Sequence, residues 1–158
     1  MNALVIDVNV AIVANGKESP QANAACKLAC IRKLCEGKKT IIAIDDGDYV
    51  LGEYRKHLSM SGQPGVGDEF MCWLHQNQDT ATVCERVKIH EHPGRVFEEF
   101  PDDPALVEFD LSDRKYVAVA VASKNSPTII NAVDSDWSDF TQAFLRHGIK
   151  VQELCSEP

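Results

Sequence analysis

The sequence predicts an α/β fold, specifically a three-layer α/β/α sandwich around a central, mainly parallel sheet. Apolar runs rich in Val and Ile, typical of strands buried on both faces, recur at residues 4–10, 40–44 and 128–133. Segments in which apolar residues repeat at helical spacing lie between these runs. This alternation favours parallel strands, because they need long crossover connections that helices usually provide.

The chain has the length and composition of one globular domain. It contains 158 residues, of which 44% are hydrophobic and 25% are charged, so we expect a single domain over 1–158. No apolar run approaches the roughly 18 residues that cross a bilayer. The N-terminus also lacks the basic region and cleavage site of a signal peptide. These features predict a cytoplasmic protein without a membrane partner.

The first half of the chain alternates between strand and helix patterns. Pro20 lies near the start of a helix that Gly37 ends, and the turn at 45–48 can cap the helix that follows it. The predicted elements are a strand within 4–10, a short helix or turn over 9–15, a helix from about 20 to 36, a strand over 40–44 and a helix over 49–58.

The second half begins with a less regular region and then returns to the alternating pattern. A Gly-, Ser- and Pro-rich loop is predicted over 59–67, and a loop with three prolines over 92–104. The predicted elements are a helix over 68–76, an edge strand over 83–90, a helix from 110 to 124, a strand over 128–133, a helix over 138–147 and a last short strand near 149–151.

Six cysteines occur without a CxxC pair. Cys26 and Cys30 lie one helical turn apart, and we interpret them as small core hydrophobes, with a zinc or disulfide role as the less favoured alternative. Reduced thiols are the usual state in the cytosol, which agrees with the predicted location.

Four acids occupy equivalent places in the predicted topology. Asp7 and Asp134 end strands, Glu53 lies in the helix after the second strand, and Asp113 lies in the first turn of a later helix. In an open parallel sheet these places share one edge, above the carboxyl ends of the strands. Several carboxylates crowded together need a counter-charge, and oxygen ligands without Cys or His suit Mg²⁺ or Mn²⁺. The sequence therefore predicts a divalent-metal site.

Each acid also has a structural interpretation. Asp113 could only cap its helix, Asp134 could be a turn residue, and Asp136 could be the N-cap of the final helix. Glu53 could pair with neighbouring cations on a solvated face.

The net charge of −8 argues against nucleic-acid binding unless bound cations or a local basic face are present.

The ordered motifs resemble those of PIN-domain nucleases over nearly the whole chain. Asp7-Val8-Asn9-Val10 resembles the opening signature, Glu53-Tyr54 the second acid, Ser112-Asp113-Arg114-Lys115 with its alanine-rich helix the third, and Asn131-Ala132-Val133-Asp134-Ser135-Asp136-Trp137 the closing acidic turn. The chain departs from the family in its long 59–109 region, which resembles an insertion. It also has Ala132 and Val133 where the family usually has Thr or Ser.

The resemblance implies phosphodiester hydrolysis, usually of RNA, that depends on Mg²⁺ or Mn²⁺. By position, Asp7, Glu53, Asp113 and Asp134 would be the catalytic metal ligands, with Asp136 replacing or assisting Asp134 and Asn9 supporting the site. The basic residues beside these acids would attract the substrate: Arg55, Lys56, Arg114 and Lys115. Many small members of this family are toxins of toxin–antitoxin pairs. The resemblance is therefore compatible with an antitoxin, another protein partner or a homo-oligomer. We expect Asp7→Asn to abolish cleavage without lowering stability.

Three alternatives remain open. A non-catalytic PIN-like module that binds nucleic acid or protein would share the fold. A haloacid-dehalogenase-like phosphatase needs a second acid two residues after the first, where Asn9 stands. A histidine-metal site would use His90 and His92, which could face the same side of a strand.

Overall fold

A computed structural model describes residues 2–16 and 22–155 and confirms the predicted α/β/α architecture. Five parallel strands form the central sheet in the order β3-β2-β1-β6-β7. The strands and helices are β1 (Ala3–Ile6), α1 (Val8–Ala14), α2 (Ala24–Gly37), β2 (Ile41–Asp45), α3 (Tyr49–His57), α4 (Val66–Asn77), β3 (Cys84–Val87), β4 (Glu91–His92), β5 (Val96–Phe97), α5 (Arg114–Ala122), β6 (Thr128–Asn131), α6 (Ser135–Asp139), α7 (Thr141–Arg146) and β7 (Lys150–Glu153).

The central strands are buried as their apolar sequences predict. All four residues of β1 are buried, and β6 pairs with β1 in a register that joins Ile6 to Ile130. Helix α5 packs on β1, β2 and β6, while α1, α2 and α4 pack against one another. The last residues of β1 and β6 therefore end side by side at the carboxyl edge of the sheet, which is where the predicted acids lie.

The predicted boundaries differ from the structure mainly in the less regular regions. Pro20 lies outside the described residues, and α2 begins at Ala24 with Asn23 as its N-cap. The predicted loop 92–104 contains most of a two-stranded antiparallel hairpin formed by β4 and β5. The predicted helix 138–147 is two short helices that meet at Phe140, whose φ of −116° and ψ of 7° depart from helical values.

The expectation of reduced thiols was wrong for one pair, and for Cys26 the less favoured disulfide role applies. Cys26 and Cys155 form a disulfide that joins the start of α2 to the segment after β7. Cys30, Cys35, Cys72 and Cys84 are free thiols. Of these, Cys30 is buried in the core, as predicted, and Cys84 is buried as well.

No helix within the described residues is both long and apolar enough to cross a membrane.

Candidate metal centre

Asp7 lies at the junction of β1 and α1, where the chain leaves the sheet. It is the N-cap of α1, and only 3% of its surface is exposed. Its Oδ1 accepts a hydrogen bond from the backbone N–H of Asn9 (3.0 Å), and its Oδ2 accepts one from Nε1 of Trp137 (2.9 Å). These two donors fix the carboxylate, but neither carries a positive charge that could neutralise it.

Asp113 and Asp134 converge on Asp7. One carboxylate oxygen from each of the three residues lies within 4.8 Å of the others, and we call this group the carboxylate cluster. Asp113 precedes α5 and Asp134 precedes α6, so three different helix starts supply the three acids. The structure thus brings Asp7 together with two acids that lie more than one hundred positions later in the chain.

The structural alternatives apply unequally to these acids. Asp113 stands at the N-cap of α5, but its side chain makes no capping hydrogen bond. Asp134 does cap α6, because its Oδ1 accepts from the backbone N–H of Asp136 at 2.9 Å. The prediction that Asp136 is an N-cap was therefore wrong: it lies in the first turn of α6. Capping does not explain why Asp113 is buried.

The electrostatics of the cluster show that it is strained when no cation is bound. Burial raises the pKa of Asp7 to about 6, although the hydrogen bonds from Asn9 and Trp137 lower it. Burial, followed by the charges of Asp7, Asp110 and Asp134, raises the pKa of Asp113 to about 8. The fold therefore holds acids together at a cost in free energy, which a bound cation would relieve.

A second group of acids shares Asp113 with the carboxylate cluster. Oxygens of Asp110, Asp113 and Asp136 also lie within 4.8 Å of one another. Asp136 therefore neither replaces Asp134 in the cluster nor lies far from it. Asp113 thus belongs to both groups of acids.

Glu53 lies beside the cluster without belonging to either group of acids. Its Oε1 lies 3.8 Å from Nζ of Lys115, and its Oε2 lies 3.9 Å from Nζ of Lys56. The charge of Lys115 in turn lowers the pKa of Asp7. Lys115 therefore connects Glu53 electrostatically to the cluster.

A network of amide side chains supports the turn that carries Asp134. Nδ2 of Asn9 donates to Oδ1 of Asn131 (2.8 Å), and Oδ1 of Asn9 accepts from the backbone N–H of Ala132 (3.0 Å). Nδ2 of Asn131 donates to the carbonyl oxygen of Asp134 (2.8 Å) and to Oε2 of Glu153. Asn9 therefore has the supporting contacts expected from its position, and it fixes the Asp134 turn to the end of β1.

The four cations predicted to attract a substrate have different surroundings. Lys56 is exposed and Lys115 is half-buried, and both face Glu53 at the edge of the site. Arg55 pairs instead with Asp48. Arg114 is only 4% exposed, and its guanidinium lies 4.2 Å from the centre of the Phe100 ring. The predicted substrate contact was therefore wrong for Arg114, which faces the protein interior.

The histidine alternative does not bring the two predicted residues together. Nδ1 of His90 lies 2.7 Å from Oε2 of Glu99, within an exposed group that also includes Glu98. Nδ1 of His92 accepts from the backbone N–H groups of Gly94 and Arg95, each at 3.0 Å. His92 is therefore used by the β4–β5 turn.

The carboxylate cluster has the donor chemistry of a Mg²⁺ or Mn²⁺ site. All of its ligand atoms are carboxylate oxygens, which hard divalent cations prefer. Two of the three acids are buried, with raised pKa values, so a cation would add charge where the protein lacks it. The residues present therefore fit such an ion.

Sequence reasoning missed the supporting roles of Asn131, Glu153 and Trp137. The sequence did contain an indication for Asn131, which is a polar residue at the end of an apolar strand. Asp7 has a similar place, directly after β1. Trp137 was assigned only to its position after the turn, and nothing in the sequence indicated its bond to Asp7.

Comparison of the chain with protein-family models, with curated proteins and with solved structures finds no match.

Proposed function

We propose that this protein is a Mg²⁺- or Mn²⁺-dependent nuclease that hydrolyses phosphodiester bonds, with single-stranded or structured RNA as its substrate. One observation carries the proposal: Asp7, Asp113 and Asp134 converge at the carboxyl edge of the sheet, and the fold holds them there despite their mutual repulsion. Acids are expensive to bury without a partner, so such a cluster is best explained by a cation. The resemblance of the motifs to PIN-domain nucleases supports the choice of reaction.

In this proposal the residues have distinct roles. Asp7, Asp113 and Asp134 hold the ion, with Asp136 on the neighbouring group of acids and Glu53 acting through water. A divalent ion in such a site supplies Lewis acidity, which activates water and stabilises negative charge on a phosphodiester. Asn9 and Trp137 orient the Asp7 carboxylate through their hydrogen bonds. Because both donors are fixed by the fold, little reorganisation of Asp7 is needed.

The substrate would approach along the edge that carries Lys56 and Lys115. Most of the surface charge is acidic, with a net charge of −8, so a polyanion would be repelled from the rest of the molecule. Lys115 lies between Glu53 and Asp7, where its ammonium group can attract a backbone phosphate. A cytoplasmic location, where RNA is available, belongs to the same proposal.

The decisive experiment measures cleavage of end-labelled single-stranded RNA of mixed sequence with Mn²⁺ and with EDTA. Wild-type protein should cleave only with Mn²⁺. Asp113→Asn should lower the rate by about 100-fold or more, because it removes a charged ligand. Asp139→Asn removes an exposed carboxylate from α6 and is the matched control; its rate should equal that of the wild type.

Two outcomes would contradict the proposal. Equal cleavage by wild type and Asp113→Asn would assign the activity to a contaminant or to another site. The second outcome is absence of cleavage of RNA and of single-stranded DNA by folded protein whose thermal midpoint rises with Mn²⁺. That result would identify a metal-binding module without nuclease activity.

A further inference from the structure

Three cysteines meet on the side of α2 that faces the end of the chain. The Sγ atoms of Cys26, Cys30 and Cys155 lie within 4.8 Å of one another, and we call them the cysteine cluster. Cys26 and Cys30 are buried, while Cys155 is half-buried. A disulfide between Cys26 and Cys155 leaves Cys30 as a free thiol against the bridge.

We propose that the reduced protein binds one thiophilic metal ion, such as Zn²⁺, through Cys26, Cys30 and Cys155. Two thiolates at positions i and i+4 share one face of α2, an arrangement that also places paired zinc ligands in metalloenzyme helices. Thiolates select soft or borderline cations over Mg²⁺. The cysteine cluster is therefore a different site from the carboxylate cluster, with a different choice of ion.

The spacing of the sulfurs suits such an ion. A tetrahedral zinc with Zn–S bonds of about 2.3 Å holds its sulfurs roughly 3.8 Å apart. The three sulfurs already lie within 4.8 Å, so Cys30 needs little movement, whereas Cys26 and Cys155 must separate from their covalent bond. Three protein ligands leave the fourth position to solvent, which can enter beside the half-buried Cys155.

Metal binding and disulfide formation exclude each other in this cluster. A thiol reductant of the glutathione class converts the Cys26–Cys155 bridge into two thiols, and two reductant molecules leave joined as their own disulfide. Reduction thus supplies the two ligands that the bridge had occupied. In a reducing cytosol the metal-binding form would be available, and in an oxidising compartment the covalent bridge would form.

The test titrates Cd²⁺, a spectroscopic substitute for Zn²⁺, into the full-length reduced protein under anaerobic conditions. A thiolate-to-cadmium charge-transfer band should saturate at one equivalent, and Zn²⁺ should compete for the same site. Cys30→Ser and Cys155→Ser should each weaken binding at least tenfold. Cys35→Ser and Cys72→Ser change thiols outside the cluster and serve as controls; they should bind as the wild type does.

Oxidised protein with the mapped Cys26–Cys155 bridge should lose the band, and reduction by a water-soluble phosphine, which leaves as its oxide and is removed before Cd²⁺ is added, should restore it. The proposal is overturned if reduced wild type, with six thiols titratable after denaturation, gives no saturable band. It is equally overturned if the band is unchanged in both Cys30→Ser and Cys155→Ser. Circular dichroism of each variant establishes that it is folded. If Cys30→Ser does not fold because Cys30 is buried, Cys155→Ser still tests the proposal, since Cys155 is only half-buried.

Discussion

Two aspartates at strand ends show how much a residue's role depends on its donors. Asp7 and Asp45 are each 3% exposed, and each follows an apolar run. The carboxylate of Asp45 accepts from the backbone N–H groups of Gly47, Tyr49 and Val50, each at 2.8 Å, and so stabilises the start of α3. Asp7 accepts from only one backbone N–H and one indole, and it faces other carboxylates. Asp45 therefore stabilises a helix start, whereas Asp7 belongs to the carboxylate cluster.

Replacing Asp113 and Asp7 by asparagine should affect stability in opposite directions. In EDTA at pH 8, Asp113→Asn should raise the thermal midpoint by a few degrees, because it removes a charge from a repulsive cluster and its amide can donate to Asp134. Asp7→Asn should lower the midpoint. Both oxygens of Asp7 accept hydrogen bonds from protein donors, and the NH₂ group of asparagine would face one of these donors, which would lose its acceptor.

For Asp7→Asn, the structure thus replaces the sequence-based expectation of equal or higher stability with one of lower stability. The measurement is thermal unfolding followed by circular dichroism, with Asp139→Asn as the control for loss of an exposed carboxylate. A lower midpoint for Asp113→Asn than for wild type would show that the cluster is not repulsive. A midpoint for Asp7→Asn above that of the wild type would show that its donors contribute little.

Sequence reasoning could identify the acids but not the groups that hold them. Asp7, Asp113 and Asp134 lie at helix starts or strand ends, and local patterns locate those places well. Glu53 was placed with them by topology and by the resemblance of Glu53-Tyr54, and its ion pair with Lys115 depends on side-chain directions that spacing does not determine. Trp137 bonds to a residue 130 positions away, which no local pattern can indicate.

At the scale of elements, the segment between β5 and α5 is organised around one buried arginine. The guanidinium of Arg114 donates to the carbonyl oxygens of Leu106, Val107 and Phe109 and lies over the ring of Phe100. Two short 3₁₀ turns, Pro104–Leu106 and Leu111–Asp113, flank this stretch. Arg114 supplies donors to the carbonyl oxygens of Val107 and Phe109, which lie between the turns, and adds a second donor to that of Leu106, which already accepts from the backbone N–H of Phe109 at 3.1 Å. The segment carries Asp110 and ends at Asp113, so Arg114 positions acids of the site without facing it.

Replacing Arg114 should therefore destabilise this segment instead of weakening substrate attraction. Arg114→Met keeps much of the apolar stem and removes all the donors, and it should lower the free energy of unfolding by about 2–4 kcal/mol. Arg55→Met removes an exposed ion pair and should cost less than about 1 kcal/mol. Urea unfolding measures both variants, and equal small effects would contradict the structural role of Arg114.

The elements that the sequence did not predict are short and depend on tertiary contacts. Strands β4 and β5 have two residues each, too few for a period-two pattern to be recognised. The break between α6 and α7 at Phe140 accompanies an edge-to-face contact between its ring and that of Phe109, 5.4 Å between centroids. Local sequence continues in helical spacing there, so the break could not be read from it.

At the scale of the whole molecule, the parallel sheet determines where negative charge accumulates. Because β1 and β6 are adjacent and parallel, their following turns meet at one edge and bring Asp7 close to Asp134. The approach of α5 to β1 and β6 adds Asp113 at its N-terminus. Three carboxylates of an acidic chain, with a net charge of −8, thus meet at this edge of the sheet. The stability of the protein should consequently depend on pH in a direction opposite to that of ordinary acid denaturation.

Without divalent metal, stability should fall as pH rises from about 4 to about 8. The pKa of Asp7 is raised to about 6 and that of Asp113 to about 8, so between the ordinary carboxyl pKa of 3.8 and each raised value the folded state holds a proton that the unfolded state has released. The stabilisation is complete below the ordinary carboxyl pKa and is lost as pH passes the two raised values. The exposed His90, whose pKa Glu99 raises, acts in the same direction.

Thermal unfolding in EDTA across pH 5 to 8.5 measures this dependence, and Asp113→Asn separates its causes. The variant retains His90 but lacks the group with the highest raised carboxyl pKa, so its midpoint should fall less between pH 6.5 and 8.5. Mn²⁺ should raise the wild-type midpoint at pH 8 and have little effect at pH 5, because protons and the ion compete for the same oxygens. A wild-type midpoint that rises with pH in EDTA would mean that the carboxylates are neutralised by contacts within the protein, and the main argument for a bound ion would be lost.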